Sequence, residues 1–168
     1  MKIAVLAGSF DPLTNGHLDI AKQALTVFDK IVIACGDNPE KNYMIPLESR
    51  IKLIETCLYQ ELHYSHQQIK VEAFPKQLLV DYCKQHNYQF VIRGIRNIID
   101  FEYEKELLNV NRELSNSIQY VYFLPNTPYM HVSSTLVKGL LQSITDDKVL
   151  TKYVPSTIAD YLVAKCHD

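Results

Sequence analysis

The sequence predicts a doubly wound α/β fold, a five-stranded parallel sheet flanked by helices, and three observations predict it. Five runs, residues 3–7, 31–35, 69–74, 90–92 and 118–124, are continuously apolar or alternate apolar with polar, as strands do. Between them the apolar spacing turns helical, so strand and helix alternate along the chain. The residues suited to chemistry all end a strand or open the helix after it, the edge at which open α/β sheets bind ligands.

Ile3 to Ala7 is the first strand. Gly8 to Asn15 is a loop rich in turn formers, and helical spacing begins at Gly16. A strand, a loop and a helix start present backbone N–H groups to an anion, and the glycines at 8 and 16 permit close approach. His17 falls in the first helical turn, where its imidazole can donate a hydrogen bond, or as imidazolium a charge, to a phosphate held by the backbone. No G-x-x-x-x-G-K-[ST] is present and no G-x-G-x-x-G follows the strand, which excludes a P-loop and argues against the usual dinucleotide fold. Leu18, Ala21, Leu25 and Phe28 give the helix one buried face, and Ile31 to Cys35 is the second strand, completing a right-handed βαβ unit.

Gly36 to Pro46 is a polar loop at the end of that strand and contains Lys41, on sequence alone a solvated lysine. Leu47, Glu48 and Arg50 begin a second helix running through Ile51, Ile54 and Leu58, with Arg50 read as structural. Glu61 to Gln68 is a surface loop whose His63 and His66 lack an acidic or sulfur partner, so no metal is expected there. Ile69 to Phe74 is the third strand, ended by Pro75, and Leu78, Leu79, Tyr82 and Cys83 trace a short helix. Phe90 to Ile92 runs directly into Arg93-Gly94-Ile95-Arg96. Two planar, permanently charged guanidinium groups about a tight turn suit a phosphate better than a core. The fourth helix begins near Asp100 and continues to Asn111, with Asp100 and Glu102 suited to cap and solvate it. Ile118 to Leu124 is the fifth strand and Pro125 to Val132 a loop. Ser133-Ser134-Thr135 then opens a helix with hydroxyls and free N–H groups, an N-cap and an anion site at once. A short helix near 149–153 and a last one from Pro155 to about Lys165 show no chemistry. The chain is one domain, 1–168, with a catalytic α/β core over 1–145 and a C-terminal helical segment over 146–168.

Composition narrows the function. With 47% hydrophobic and 21% charged residues over 168 positions, the chain can bury a core without disulfides or metals. No apolar run approaches the ~20 residues of a membrane span, and no signal-peptide pattern opens the chain, so a cytoplasmic protein without membrane contact is expected. Cys35, Cys57, Cys83 and Cys166 form no C-x-x-C pair, so neither a zinc site nor a redox motif is indicated. A net charge of −2 argues against a general nucleic-acid binder.

Gly8-Ser9-Phe10-Asp11-Pro12 with Thr14-Asn15-Gly16-His17 resembles the G-[ST]-F-D-P-x-[TH]-x-G-H signature of the Rossmann-like nucleotidyltransferase superfamily. Asn38-Pro39-Glu40-Lys41, Val91-Ile92-Arg93-Gly94-Ile95-Arg96, Asp100-Phe101-Glu102-Tyr103-Glu104 and Ser133-Ser134-Thr135-Leu136-Val137-Lys138 are similar to further motifs. Over about residues 2 to 165 the chain most resembles the bacterial phosphopantetheine adenylyltransferase family. Many superfamily members carry arginine where this chain has Lys138.

The resemblance implies adenylyl transfer from ATP to 4′-phosphopantetheine, giving dephospho-coenzyme A and pyrophosphate. It implies His17, Lys41, Arg93 and Ser9 as the catalytic set. ATP is expected at Ser9, Phe10, His17, Gly94, Ile95, Arg96 and Glu104, and along Tyr129, Met130, His131, Val132, Ser133, Ser134 and Thr135. Phosphopantetheine is expected at Ser9, Lys41, Leu79 and Arg93. A carboxylate beside triphosphate is unfavourable, so Glu104 is expected to address ribose, base or an arginine. Magnesium is expected to arrive on the ATP phosphates without protein ligands, and a homohexamer is implied. Two alternatives remain: another small nucleotidyltransferase, acting on nicotinamide mononucleotide or transferring cytidylyl, and a nucleotide sensor without catalysis. The block from Arg93 to Glu104 resembles only the phosphopantetheine branch.

Overall fold

The fold was derived from a computed structural model that describes residues 1–38, 40–74, 76–143 and 147–166. Pro39, Pro75, Asp146 and the side chain of Cys166, each part of the sequence reading, lie outside the described residues. The strands form where the pattern predicts: β1 Ile3–Gly8, β2 Lys30–Gly36, β3 Ile69–Phe74, β4 Phe90–Gly94 and β5 Gln119–Phe123. They pair in parallel in the order β3-β2-β1-β4-β5. Leu6 of β1 lies opposite Ile33 of β2 and Ile92 of β4. The chain therefore winds outward from β1 to β3, then crosses to the other side of β1. That reversal opens a crevice between the C-terminal ends of β1 and β4, the place where such sheets take ligands.

The helices among the described residues are α1 Asn15–Ala24, α2 Leu47–Glu55, α3 Leu79–Gln85, α4 Ile98–Leu114, α5 Ser134–Leu141, α6 Asp147–Leu150 and α7 Ser156–Cys166. Strand alternation divides the interior in two. Ala4, Leu6, Ile31, Ile33 and Ile92 join Ile20, Ile54 and Val137 in the larger core, together with Ile158, Ala159 and Leu162 of α7. Val5, Ala7, Val32, Ala34 and Val91 face Val80, Tyr82 and Cys83 in the smaller one. Each fully buried Val, Leu or Ile side chain of these layers contributes about 1.5–3 kcal/mol.

Four elements differ from the sequence pattern. α1 ends at Ala24, so Leu25 is its C-cap and Phe28 is buried beyond the helix. Leu58 does not continue α2: the chain widens into a π-helical stretch, Thr56–Glu61. This places Glu61 at the start of α7, where its carboxylate accepts the Ser156 and Thr157 N–H groups at 3.0 and 3.1 Å. α4 begins earlier and runs longer than its apolar spacing implied, because the Asn97 side chain caps it by accepting the Asp100 N–H at 2.9 Å. It buries only Glu104, leaving Ile98, Ile99, Tyr103 and Val110 exposed. The short C-terminal helix starts at Asp147, ahead of the expected 149–153. No helix is long and apolar enough to cross a membrane among the described residues.

Candidate active site

The loop between β1 and α1 is held by its own side chains. Thr14 caps α1, and the ring of His17 completes a capping box by accepting the Thr14 N–H on Nδ1 at 3.0 Å. Because Nδ1 is an acceptor, the ring proton of neutral His17 resides on Nε2, and the ring lines the cleft. Burial, and then the positive charges of Arg96 and Arg93, push its pKa down to about 4. Of the two forms the sequence allowed, the free protein holds the neutral donor. Phe10 adopts a left-handed backbone at φ 47 and packs edge-on against His17 with ring centroids 5.1 Å apart. A Cβ on Gly8 would stand 3.1 Å from the Phe10 ring, so a side chain there would press on the ring that packs against His17. Asp19, buried on α1, accepts the Asn126 N–H at 2.7 Å and its side-chain amide at 2.6 Å, tying the helix to the loop after β5.

Both arginines at the end of β4 are oriented by carboxylates of α4. Arg93 donates from Nε to Glu104 Oε1 at 2.8 Å, with a second nitrogen at 2.5 Å, and from Nη1 to the Ala7 carbonyl at 2.8 Å. Of the three partners open to Glu104, the structure shows the arginine. Arg96 grips Asp100 with two nitrogens at 2.9 and 3.1 Å. Burial opposes ionisation of Asp100, but the hydrogen bonds and charge of Arg96 outweigh it and hold the carboxyl below its usual range. Gly94 lies against Ile20, where a Cβ would meet Cγ1 at 3.1 Å.

These groups line two adjoining cavities. The larger, about 420 Å³, is bounded by Ser9, Phe10, Thr14, His17, Arg93, Gly94, Arg96, Asp100, Tyr103, Glu104, Val132, Ser133, Ser134 and Thr135, among others. The smaller, about 380 Å³, is bounded by Asp37, Asn38, Tyr43, Phe74, Lys76, Gln77 and Leu79. Ala7, Gly8, Ser9, Lys41 and Arg93 line both. The wall between the cavities thus carries Ser9, Lys41 and Arg93.

Most expected site residues meet here, and some do not. Ile95 turns inward and is 9% exposed, while Tyr129, Met130 and His131 stand outside the cavity lining. The carbonyls of Tyr129 and Val132 instead pack over Gly16, and the His131 ring abuts Tyr153. Ser133 caps α5 by accepting the Leu136 N–H at 3.0 Å, and Ser134 donates to the Pro12 carbonyl at 2.8 Å. Lys138 is outside both cavities, and its ammonium meets Asp11 at 2.5 Å. Arg50 is structural as expected: 1% exposed, it donates to the carbonyls of Ile45, Ser9 and Gly36 at 2.9, 2.6 and 2.8 Å. Asp100 lines the larger cavity although its place in the first turn of α4 reads as a dipole partner. The available signal was its spacing of four residues from Arg96. No group of three or more His, Cys, Asp or Glu stands ready to hold a metal among the described residues. A cleft with neutral and cationic donors, and carboxylates already matched to arginine, can bind phosphate and stabilise charge developing on it.

The comparisons with known proteins agree with that chemistry. A family model described as cytidylyltransferase-like matches residues 5–140. The chain is similar to the phosphopantetheine adenylyltransferase of Chromobacterium violaceum, 36% identical over 94% of this chain and 93% of that protein. It is likewise 41% identical to that of Geotalea daltonii over 82% of each. Among solved structures, a bifunctional NMN adenylyltransferase/ADP ribose pyrophosphatase from Francisella tularensis superposes with a TM-score of 0.72 at 16% identity, covering 99% of this chain and 50% of that one. The Plasmodium falciparum nicotinic acid mononucleotide adenylyltransferase superposes with a TM-score of 0.63 at 17% identity, covering 98% of this chain and 95% of that one. The structural likeness is one of fold, and the sequence likeness extends over most of the chain. On that evidence the chain belongs to the phosphopantetheine adenylyltransferase family of nucleotidyltransferases.

Proposed function

We propose that this chain transfers the adenylyl group of MgATP to 4′-phosphopantetheine, forming dephospho-coenzyme A and pyrophosphate. The observation that carries the proposal is the pair of cavities joined at Ser9, Lys41 and Arg93. A reaction between two anions needs two binding spaces and a cationic contact between them. ATP fits the larger cavity, with His17, Arg96 and the start of α5 toward its phosphates. The pantetheine arm fits the smaller one beside Leu79, its phosphate directed to Lys41 and Arg93.

The attacking phosphate is ionised at neutral pH, so no general base is required. The residues of the cleft have two tasks: to align nucleophile and α-phosphoryl group, and to stabilise charge at the transition state. Lys41 has no acceptor among the described residues, which leaves its ammonium free for phosphate. Arg93, locked by Glu104 and the Ala7 carbonyl, presents a guanidinium that need not reorganise. His17 donates from Nε2, and a bound triphosphate would counter the burial and the arginine charges that otherwise keep the ring neutral. Magnesium is part of the MgATP substrate: the three carboxylates lining the cavities, Asp37, Asp100 and Glu104, are engaged by arginines, so phosphate oxygens and water would supply its ligands. The exposed apolar side of α4 supports assembly into a hexamer, and the family's biosynthetic role fits a cytoplasmic location.

Pyrophosphate release is the test. With MgATP, release is expected with 4′-phosphopantetheine and absent with nicotinamide mononucleotide or no acceptor. Release with the mononucleotide would move the protein to another nucleotidyltransferase branch. No release despite ATP binding would make it a sensor.

A further inference from the structure

The loop that brings Lys41 to the shared wall is bonded, just past the lysine, to side chains from three other parts of the fold. Asp11, in the loop after β1, accepts the Met44 N–H on Oδ2 at 2.9 Å and the Ile45 N–H on Oδ1 at 2.8 Å. Arg50 of α2 donates to the Ile45 carbonyl, and Lys165 of α7 donates to the Met44 carbonyl. Asp11 is only 2% exposed, and Lys138 of α5 supplies its counter-charge at 2.5 Å. A buried carboxylate is tolerated only when its charge and lone pairs are met in this way. Neither Asp11 nor Lys138 lines either cavity, so neither reaches a substrate held there. Asp11 follows Ser9 by two positions, and one short loop therefore both presents Ser9 to the shared wall and grips the base of the loop carrying Lys41.

We propose that Asp11, neutralised by Lys138, is a positioning residue for Lys41. It sets the Ser9 loop and the Lys41 loop at one separation, so that both act on the same pair of phosphates. This rests on the adenylyl-transfer reading, and it assigns to the Asp11–Lys138 pair a role in turnover that phosphate contact would not give it. Small displacements of positioned groups are costly: a misplacement of about 1 Å can cost about 100-fold in rate.

Asp11→Asn keeps the shape but removes the charge and one of the two acceptor oxygens. In hydrogen exchange without substrate, this variant is expected to expose the Met44 and Ile45 amides while β1 and β2 keep their protection. In pyrophosphate release at saturating substrates, its kcat is expected to fall about 10- to 100-fold. In a Lys41→Met background the same change is expected to cost almost nothing more, because it acts through the lysine. Lys138→Met reproduces the loss and Lys138→Arg restores activity. Equal costs in the two backgrounds, or unchanged exchange at Met44 and Ile45, would overturn the proposal. If Asp11→Asn does not fold, Lys138→Met against Lys138→Arg makes the same comparison. The exchange arm needs no turnover, so a wild-type protein that fails to use phosphopantetheine would count against the proposed function and leave the clamp to be judged by exchange.

Discussion

At the scale of single residues, the His17 ring joins two places that are usually separate, a helix cap and the lining of a cleft. Its Nδ1 is held by the Thr14 N–H, which directs the one remaining donor, Nε2, to the substrate side. His17→Ala is expected to lower kcat by about 10²–10³ while ATP binding changes little; equal losses in both would remove the transition-state role. The same ring makes stability pH-dependent. Unfolded, it takes a proton below about 6.5; folded, it refuses one until about 4. The unfolded state therefore binds more protons in that window, and native stability falls as pH drops through it. His17→Gln, which can keep the capping bond, is expected to flatten the melting temperature between pH 6.5 and 4 in the free protein. That His17, Arg93 and Lys41 line one cleft was legible because each belongs to a motif at or just beyond a strand end. Asp100 was not, since an acid in a first helical turn has a sufficient local explanation. Nor could sequence show that the ammonium of Lys138 serves Asp11, 127 positions away.

At the scale of elements, helix starts and strand ends do most of the positioning. Arg50 shows how one side chain of α2 holds three loop carbonyls and stacks 4.0 Å from the Tyr43 ring centroid. Its removal leaves those carbonyls without their donor, while the half-exposed Asp37 carboxylate meets water. Arg50→Met is expected to destabilise the fold by about 1–3 kcal/mol, the usual cost of leaving buried acceptors unsatisfied. Chemical denaturation measures it, and a loss below about 1 kcal/mol would show the network to be dispensable. Strand positions were legible because period-two and continuous apolar patterns are local. The π-helical stretch was not, because Leu58 keeps an apolar position compatible with a helix while the extra residue per turn reorients Glu61. The extent of α4 was hidden for a different reason: its only buried side chain is the acid Glu104, so no apolar stripe marks its ends.

At the scale of the whole molecule, the order β3-β2-β1-β4-β5 places the crevice between β1 and β4, and every cleft residue reaches it from a strand end or the segment beyond. The alternation of elements implied a parallel sheet with the site along one edge, whereas the strand order and the division into two cavities depend on long-range packing that no local pattern encodes. Exposed Ile98, Ile99, Tyr103 and Val110 on α4 leave a surface suited to subunit contact. If the proposed assembly uses this surface, Ile99→Glu is expected to sediment as a smaller species than wild type; identical sedimentation would contradict assembly through α4. The central claim is that two cavities meet at one cationic wall, and competition binding with dephospho-coenzyme A tests it most directly. A product that fills both cavities is expected to displace both ATP and 4′-phosphopantetheine, while neither substrate displaces the other. Displacement of only one substrate, or mutual exclusion of the two, would contradict the shared-wall account.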